Sequence, residues 1–184
     1  MWIVSLLLAI LLLFFERWAP VRRLTIKDIG FRCTTGLNVW FHKHPRVACG
    51  LSLTNTLLMV ACCSFWGEYC IQHGNSLKLC SLLALLSFRV VVGNMTVLPR
   101  PDDTVQTMAD IPPAPSTSFY LISGHTVLLY LTGVQLNLSG GSLFLLLFLQ
   151  SVRMVAYRGH YTADIAIGCA MSFLLSRSTL WLDL

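Results

Sequence analysis

Charge is scarce in this sequence. Of its 184 residues, 13 are Lys or Arg and 8 are Asp or Glu, while 55% are hydrophobic. A water-soluble domain of this length needs more charge to cover its surface, and its apolar residues recur with the period of a buried face. Here they come in unbroken blocks. Paired cysteines are missing too. Cys33, Cys49, Cys62, Cys63, Cys70, Cys80 and Cys169 lack the spacing of a zinc site, and most lie in apolar surroundings where a thiol acts as a small hydrophobe. There is no internal repeat, no low-complexity tract and no room for a separate soluble domain. The chain reads as one unit, residues 1–184, with a core over about 28–176.

Backbone polar groups in hydrocarbon must be satisfied within their own segment, so apolar blocks of about 20 residues predict spanning helices. The blocks predict an all-α, polytopic membrane bundle of about six transmembrane helices. These run over Met1–Phe15, about Val47–Trp66, about Leu77–Val97, about Ser118–Leu138, about Ser142–Tyr157, and from near Tyr161 to about Ser176. Met1–Phe15 is short and resembles a signal-peptide core. It lacks a positive start and a small-residue cleavage site, so it is expected to be a retained first helix. Pro99, Pro101, Pro112, Pro113 and Pro115 break the chain between the third and fourth spans.

The net charge of +5 is uneven. Arg17, Arg22, Arg23, Lys27, Arg32, Lys43 and Arg46 all fall in the loop Glu16–Arg46, between the first two blocks. That placement excludes a nucleic-acid partner and suits topology or anionic headgroups. Counting crossings brings this loop, the 98–117 loop and the 158–160 turn to one face of the membrane.

Polar residues inside spans are costly, so each is a site hypothesis. Three clusters gather on that one face. Arg89 through Thr96, Leu98, Pro99 and Pro101 closes the third span. Ser123-Gly124-His125-Thr126 lies about two turns into the fourth, and His160-Tyr161-Thr162-Ala163-Asp164 opens the sixth. His160 and Asp164, four apart, share a helix face, so the carboxylate could hold one imidazole nitrogen and leave the other to attack. His125, on another helix, could act as acid for a leaving group. Arg89 offers a planar, permanently charged fork for phosphate, and Gly124 permits close approach. The Ser123 and Thr126 hydroxyls can donate to phosphate oxygens, and Arg153 could reach the same group. Each residue alone has a bland reading, as a structural hydrogen-bonder or a snorkelling cation. It is the joint occurrence that points to phosphoryl chemistry. His42, His44 and His73 have no partner pattern and are expected at the interface. Asn94-Met95-Thr96 and Asn137-Leu138-Ser139 are glycosylation triplets expected to be silent.

Arg89, Thr96-Val97-Leu98-Pro99-Arg100-Pro101, Ser123-Gly124-His125-Thr126 and His160-Tyr161-Thr162-Ala163-Asp164 resemble, in order, the motifs of the sphingomyelin synthase family. That family lies within the lipid phosphatase and phosphotransferase superfamily. The stretches Ser118–His125 and His160–Gly168 look closer to its phosphatidylcholine:diacylglycerol cholinephosphotransferase branch. Animal sphingomyelin synthases carry Cys-Gly-Asp where this chain has Thr117-Ser118-Phe119, whereas Thr126 is nearer to theirs.

The resemblance implies a transferase in which His160 attacks the phosphorus of phosphatidylcholine, Asp164 orients it, and His125 protonates the departing diacylglycerol. A second diacylglycerol then accepts phosphocholine. No cofactor or metal is implied, and the endoplasmic reticulum is the implied membrane. Synthesis of sphingomyelin or another phosphosphingolipid on ceramide stays open. So does lipid phosphate hydrolysis, since Arg100-Pro101 and Ser151-Val152-Arg153 echo lipid phosphatase motifs. A polytopic lipid-binding protein is the non-enzymatic alternative. The positive-inside rule places the active face in the cytosol, whereas sphingomyelin synthases are understood to work on the lumenal face.

Overall fold

The structure, a computed structural model, describes residues 27–73, 77–95, 98–99, 104–105, 118–119, 122–178 and 181. The expected first helix, Met1–Phe15, lies outside them. The described chain is helical apart from one two-residue strand pair. In order it forms α1 (Ile29–Cys33), α2 (Thr35–Lys43), α3 (Pro45–His73), α4 (Leu77–Met95), β1 (Leu98–Pro99), β2 (Ser118–Phe119), α5 (Gly124–Gln135), α6 (Gly140–Ala156) and α7 (Thr162–Ser176).

Helix α3 shows why the bundle holds together. It starts on Pro45, whose fixed φ and missing N–H suit a first helical position. Its buried residues include Ala48, Ser52, Asn55, Met59, Cys62 and Trp66. These are spaced alternately by four and three, a single seam that faces its neighbours. The seam includes the polar Ser52 and Asn55, while Leu51, Leu53, Leu57 and Val60 are exposed. Inside the seam, Gln150 of α6 donates to the Asn55 side-chain oxygen, and the Trp66 indole donates to the Thr132 hydroxyl of α5 at 2.9 Å. Helix α6 likewise exposes Phe144, Leu145, Phe148 and Leu149. An apolar exterior over a hydrogen-bonded interior inverts the pattern of a water-soluble bundle and fits a hydrocarbon surround.

Helix α5 occupies the centre, with α3, α4, α6 and α7 packed around it. Trp66, Leu82, Leu85, Val127, Leu131 and Trp181 form the main core cluster. Among the described residues α3 is the one helix long and apolar enough to cross a membrane. At 29 residues it rises about 44 Å, more than the ~30 Å of hydrocarbon. Helices α6 and α7 are apolar but shorter, at 17 and 15 residues.

Two sequence expectations are corrected. The fourth helix does not run from Ser118. Ser118 and Phe119 pair antiparallel with Pro99 and Leu98, and α5 starts at Gly124, where the Ser123 side chain accepts from the Thr126 N–H. The capping hydroxyl sets the boundary that apolar composition missed. His125 is therefore in the first turn of its helix, not two turns in. The expected basic loop is also helical from Ile29 onward, because the Asp28 carboxylate caps α1 through the Phe31 N–H at 3.1 Å.

Described residues of the three connections expected on one face meet at one end of the bundle. Thr162, at the start of α7, donates to Asp28 from its backbone N–H (2.7 Å) and its hydroxyl (2.6 Å). The Val105 N–H donates to the Tyr157 carbonyl at 2.9 Å. The Asn38 side chain donates to the Ala156 carbonyl at 2.9 Å, and the Tyr157 hydroxyl to the Ala48 carbonyl at 2.9 Å. At the opposite end Asn137, with φ 53°, makes the tight turn into α6, and the Ser139 side chain caps that helix. The Asn137-Leu138-Ser139 triplet is thus a turn and a cap.

Docking of α1 depends on Gly30. A methyl group there would meet the Thr162 hydroxyl oxygen at 2.1 Å and a Val155 methyl at 2.9 Å. Gly30→Ala is expected to destabilise the protein by about 1–3 kcal/mol through overpacking. The thermal midpoint in detergent should fall. In a Thr162→Ala background the same substitution should lower it by clearly less, because its main clash has gone. Equal drops in both backgrounds would show that α1 does not pack here.

Candidate active site

Four helices contribute to one end of the bundle. The α7 entrance supplies His160 and Asp164. The His160 Nδ1 lies 3.1 Å from the Asp164 Oδ2. The same oxygen accepts the Tyr161 N–H at 3.2 Å, so the carboxylate caps the helix and orients the imidazole at once. Asp164 is fully buried, whereas the His160 side chain keeps 12% exposure. Its other oxygen, Oδ1, is buried without a hydrogen bond among the described residues. The carboxylate charge is therefore directed at His160. The contact with Asp164 thus distinguishes Nδ1 of the His160 ring from Nε2.

Ser123-Gly124-His125-Thr126 is fastened to that pair through the backbone. The Ser123 N–H donates to the Asp164 carbonyl at 3.0 Å. Gly168 of α7 lies directly against this segment: a Cβ on it would stand 3.1 Å from the Ser123 carbonyl oxygen and 3.3 Å from the Thr126 Cβ. The result is a His125 ring edge-on to the His160 ring, with centroids 5.6 Å apart and planes at 77°. Two imidazoles, one from the first turn of α5 and one from the turn before α7, thus stand side by side.

Arg89 of α4 completes one side. Its Nε donates to the Ile122 carbonyl at 2.8 Å, and its guanidinium lies over Gly124, where an added Cβ would sit 2.9 Å from Nε and 3.0 Å from Cζ. The space that Gly124 leaves open is therefore taken by the arginine. Arg153, in the last turn of α6, packs its guanidinium 5.1 Å above the Tyr157 ring. His160, Arg153 and Arg89 all lie within electrostatic reach of His125. All four basic groups singled out in the sequence share this site.

The Ser123 and Thr126 hydroxyls are used differently from the sequence expectation. The Thr126 hydroxyl donates to the Ser123 hydroxyl at 3.0 Å, and the Ser123 hydroxyl faces the Met154 sulfur at 3.8 Å. Both residues are buried, at 0% and 1% exposure. They build the cap that aims His125 and do not reach outward. Thr96, Arg100 and Pro101 lie outside the described residues, while Leu98 and Pro99 form β1. His42, His44 and His73 are exposed.

Two supporting residues escaped the sequence reading. Asp28 ties α1 to Thr162, two residues beyond His160. Arg158 is buried at 2% exposure with φ 57°, a conformation uncommon for a bulky residue. Its guanidinium donates to the Thr34 hydroxyl and the Phe31 carbonyl, both at 2.9 Å, and lies 4.4 Å above the Phe31 ring. These bonds hold the turn that presents His160. Nothing local in the sequence marks these long-range roles, since Thr162 is 134 positions from Asp28, and Thr34 and Phe31 are 124 and 127 from Arg158.

Comparisons with known proteins bear on the whole of this region. Residues 27–179, which include every site residue named here, match the family model described as AtPDCT1/2. The chain is similar to phosphatidylcholine:diacylglycerol cholinephosphotransferase 1 of Arabidopsis thaliana, at 26% identity over 152 residues covering 80% of this chain and 50% of that protein. It is similar to phosphatidylcholine:diacylglycerol cholinephosphotransferase 2 of the same plant, at 27% identity over 152 residues covering 80% of this chain and 51% of that protein. The chain spans about half the length of the curated relatives it matches. No solved structure matches it.

Proposed function

This chain belongs to the AtPDCT1/2 family, and from that membership we propose that it is a membrane phosphotransferase moving phosphocholine from phosphatidylcholine to diacylglycerol. The observation that carries the reading is the His125, His160 and Asp164 arrangement, with Asp164 on one nitrogen of His160 and the His125 ring at its edge.

His160 Nε2 attacks the phosphorus. The bond from phosphorus to the diacylglycerol oxygen breaks, and a phosphohistidine forms. Asp164 fixes the tautomer and offsets the positive charge that grows on the ring. His125 gives its proton to the departing diacylglycerol oxygen. In the second half it takes a proton from the incoming diacylglycerol hydroxyl, whose oxygen attacks phosphorus and releases His160. Arg89 and Arg153 offset the charge on the phosphoryl oxygens, which is where such reactions gain most from fixed cations. Phosphatidylcholine and diacylglycerol are the substrates. In this reading α3 to α7 cross the membrane, and the protein is a multi-pass resident of the endoplasmic reticulum membrane.

Membranes containing the protein, given phosphatidylcholine labelled in its head group and unlabelled diacylglycerol or ceramide, test the proposal. Label should pass into new phosphatidylcholine when diacylglycerol is added. Label in sphingomyelin would give the acceptor as ceramide, label in free phosphocholine would give water, and no labelled product from a folded protein would sink the enzyme. His125→Gln should lower transfer by about 10²–10⁴-fold, the usual contribution of a positioned acid or base. Unchanged transfer would remove His125 from the mechanism.

A further inference from the structure

Below the site, between α4 and α7, lies an apolar groove that the reaction as described does not use. It has a volume of about 460 Å³ and opens on the exterior of the bundle. Ala84, Leu85 and Phe88 line it from α4, and Met171, Leu174 and Leu175 from α7. Its one polar contributor, Ser81, is already engaged. That hydroxyl donates to the Lys78 carbonyl at 2.9 Å and accepts the Trp181 indole N–H at 2.7 Å. The groove therefore has no group to offer a polar ligand.

Its position identifies an occupant. Phe88 adjoins Arg89, whose guanidinium lies over Gly124 beside His125. From Arg89 the groove descends α4 to Ser81, eight residues and about 12 Å away. On α7 it reaches Leu175, eleven residues and about 16 Å below Asp164. These depths match one leaflet of hydrocarbon, half of ~30 Å. Cations and imidazoles at the top, with an apolar channel one leaflet deep beneath them, complement a single phosphate-bearing lipid.

Resting on the transferase reading above, we propose that the α4–α7 groove holds one acyl chain of the phosphatidylcholine donor while its phosphate lies between Arg89 and the two histidines. The chain enters sideways from the bilayer, since the groove is open along Phe88 and Leu174, which are 49% and 64% exposed. The groove then contributes to donor binding in proportion to chain length, because each methylene removed from water or disordered lipid adds favourable contact.

Ala84→Trp fills the groove without touching the site. In the full chain in detergent micelles, kcat/KM for a long-chain phosphatidylcholine should fall at least about tenfold, whereas that for dihexanoyl phosphatidylcholine should stay within about twofold of the wild type. Equal retention of both, or equal loss of both, would overturn the groove assignment. A second measurement needs no variant and no turnover. Phosphatidylcholine carrying a mid-chain diazirine should, on irradiation with the wild-type protein, label peptides containing 81–88 or 171–175. Labelling confined to other segments, or obtained at these peptides only from diazirine-bearing diacylglycerol, would also overturn it. A wild-type protein that transfers no head group from any chain length, yet is labelled in the groove, would refute the transferase reading and leave the groove standing.

Discussion

On the proposed mechanism, His160→Ala is expected to lower head-group transfer by at least about 10⁴-fold, the scale seen when the nucleophile of a coupled set is removed. The alanine leaves the fold of α7 in place, because Asp164 still accepts the Tyr161 N–H and Thr162 still bonds Asp28. Two readouts separate loss of the nucleophile from general damage. Wild-type protein given phosphatidylcholine labelled in its head group should carry acid-labile, alkali-stable label, as a phosphohistidine does, and the variant should carry none. Imidazole added to the variant should restore part of the activity, since the vacated site keeps the Asp164 carboxylate that would orient it. Full transfer by His160→Ala would end the proposed mechanism.

Asp164→Asn is expected to lower kcat by about 10³–10⁴-fold, comparable to the loss when the aspartate of a Ser-His-Asp set becomes an amide. The side chain is fully buried, and its Oδ2 meets both His160 Nδ1 and the Tyr161 N–H. If the amide keeps its oxygen where Oδ2 stood, both hydrogen bonds survive but the charge that stabilises a cationic ring is gone. If it turns its NH₂ there, His160 takes the tautomer with a proton on Nε2 and cannot attack. Stability should move the other way. Burying a carboxylate with one oxygen unbonded is costly, so the thermal midpoint of Asp164→Asn should equal or exceed that of the wild type. A variant that lost activity and midpoint together would make Asp164 a structural residue. One that kept activity would remove it from the site.

The pairing of His160 with Asp164 could be read directly from the sequence because it depends on a local rule. Residues four apart are neighbours on a helix; here His160 lies in the turn just before α7 and meets Asp164 because that carboxylate turns back to accept the Tyr161 N–H. The convergence of Arg89, Arg153 and His125 on that pair was legible at lower resolution. Crossing parity puts the ends of alternate apolar blocks on one side, without stating any distance. The depth of His125 was misread. Apolar composition continues smoothly across residues 118–123, and only the Ser123 cap and the β1–β2 pairing show where the helix begins. Gly124 was rightly seen as a site of close approach, but the group that approaches is Arg89.

The sequence by itself determined the family, the helical character of the chain and the residue types on which the proposed phosphoryl transfer rests. The last two follow from composition and from spacings of four residues or fewer. Only the tertiary structure decided how those residues are aimed. Asp28 reaches Thr162 across 134 positions, Arg158 reaches Phe31 across 127, and Gly30 lets the first helix dock against the turn that presents His160. Such contacts arise when packed helices bring distant polar groups together away from water, where an unpaired group is costly. The histidines and aspartate were visible in the sequence, but their alignment comes from residues whose importance appears only once the helices are packed.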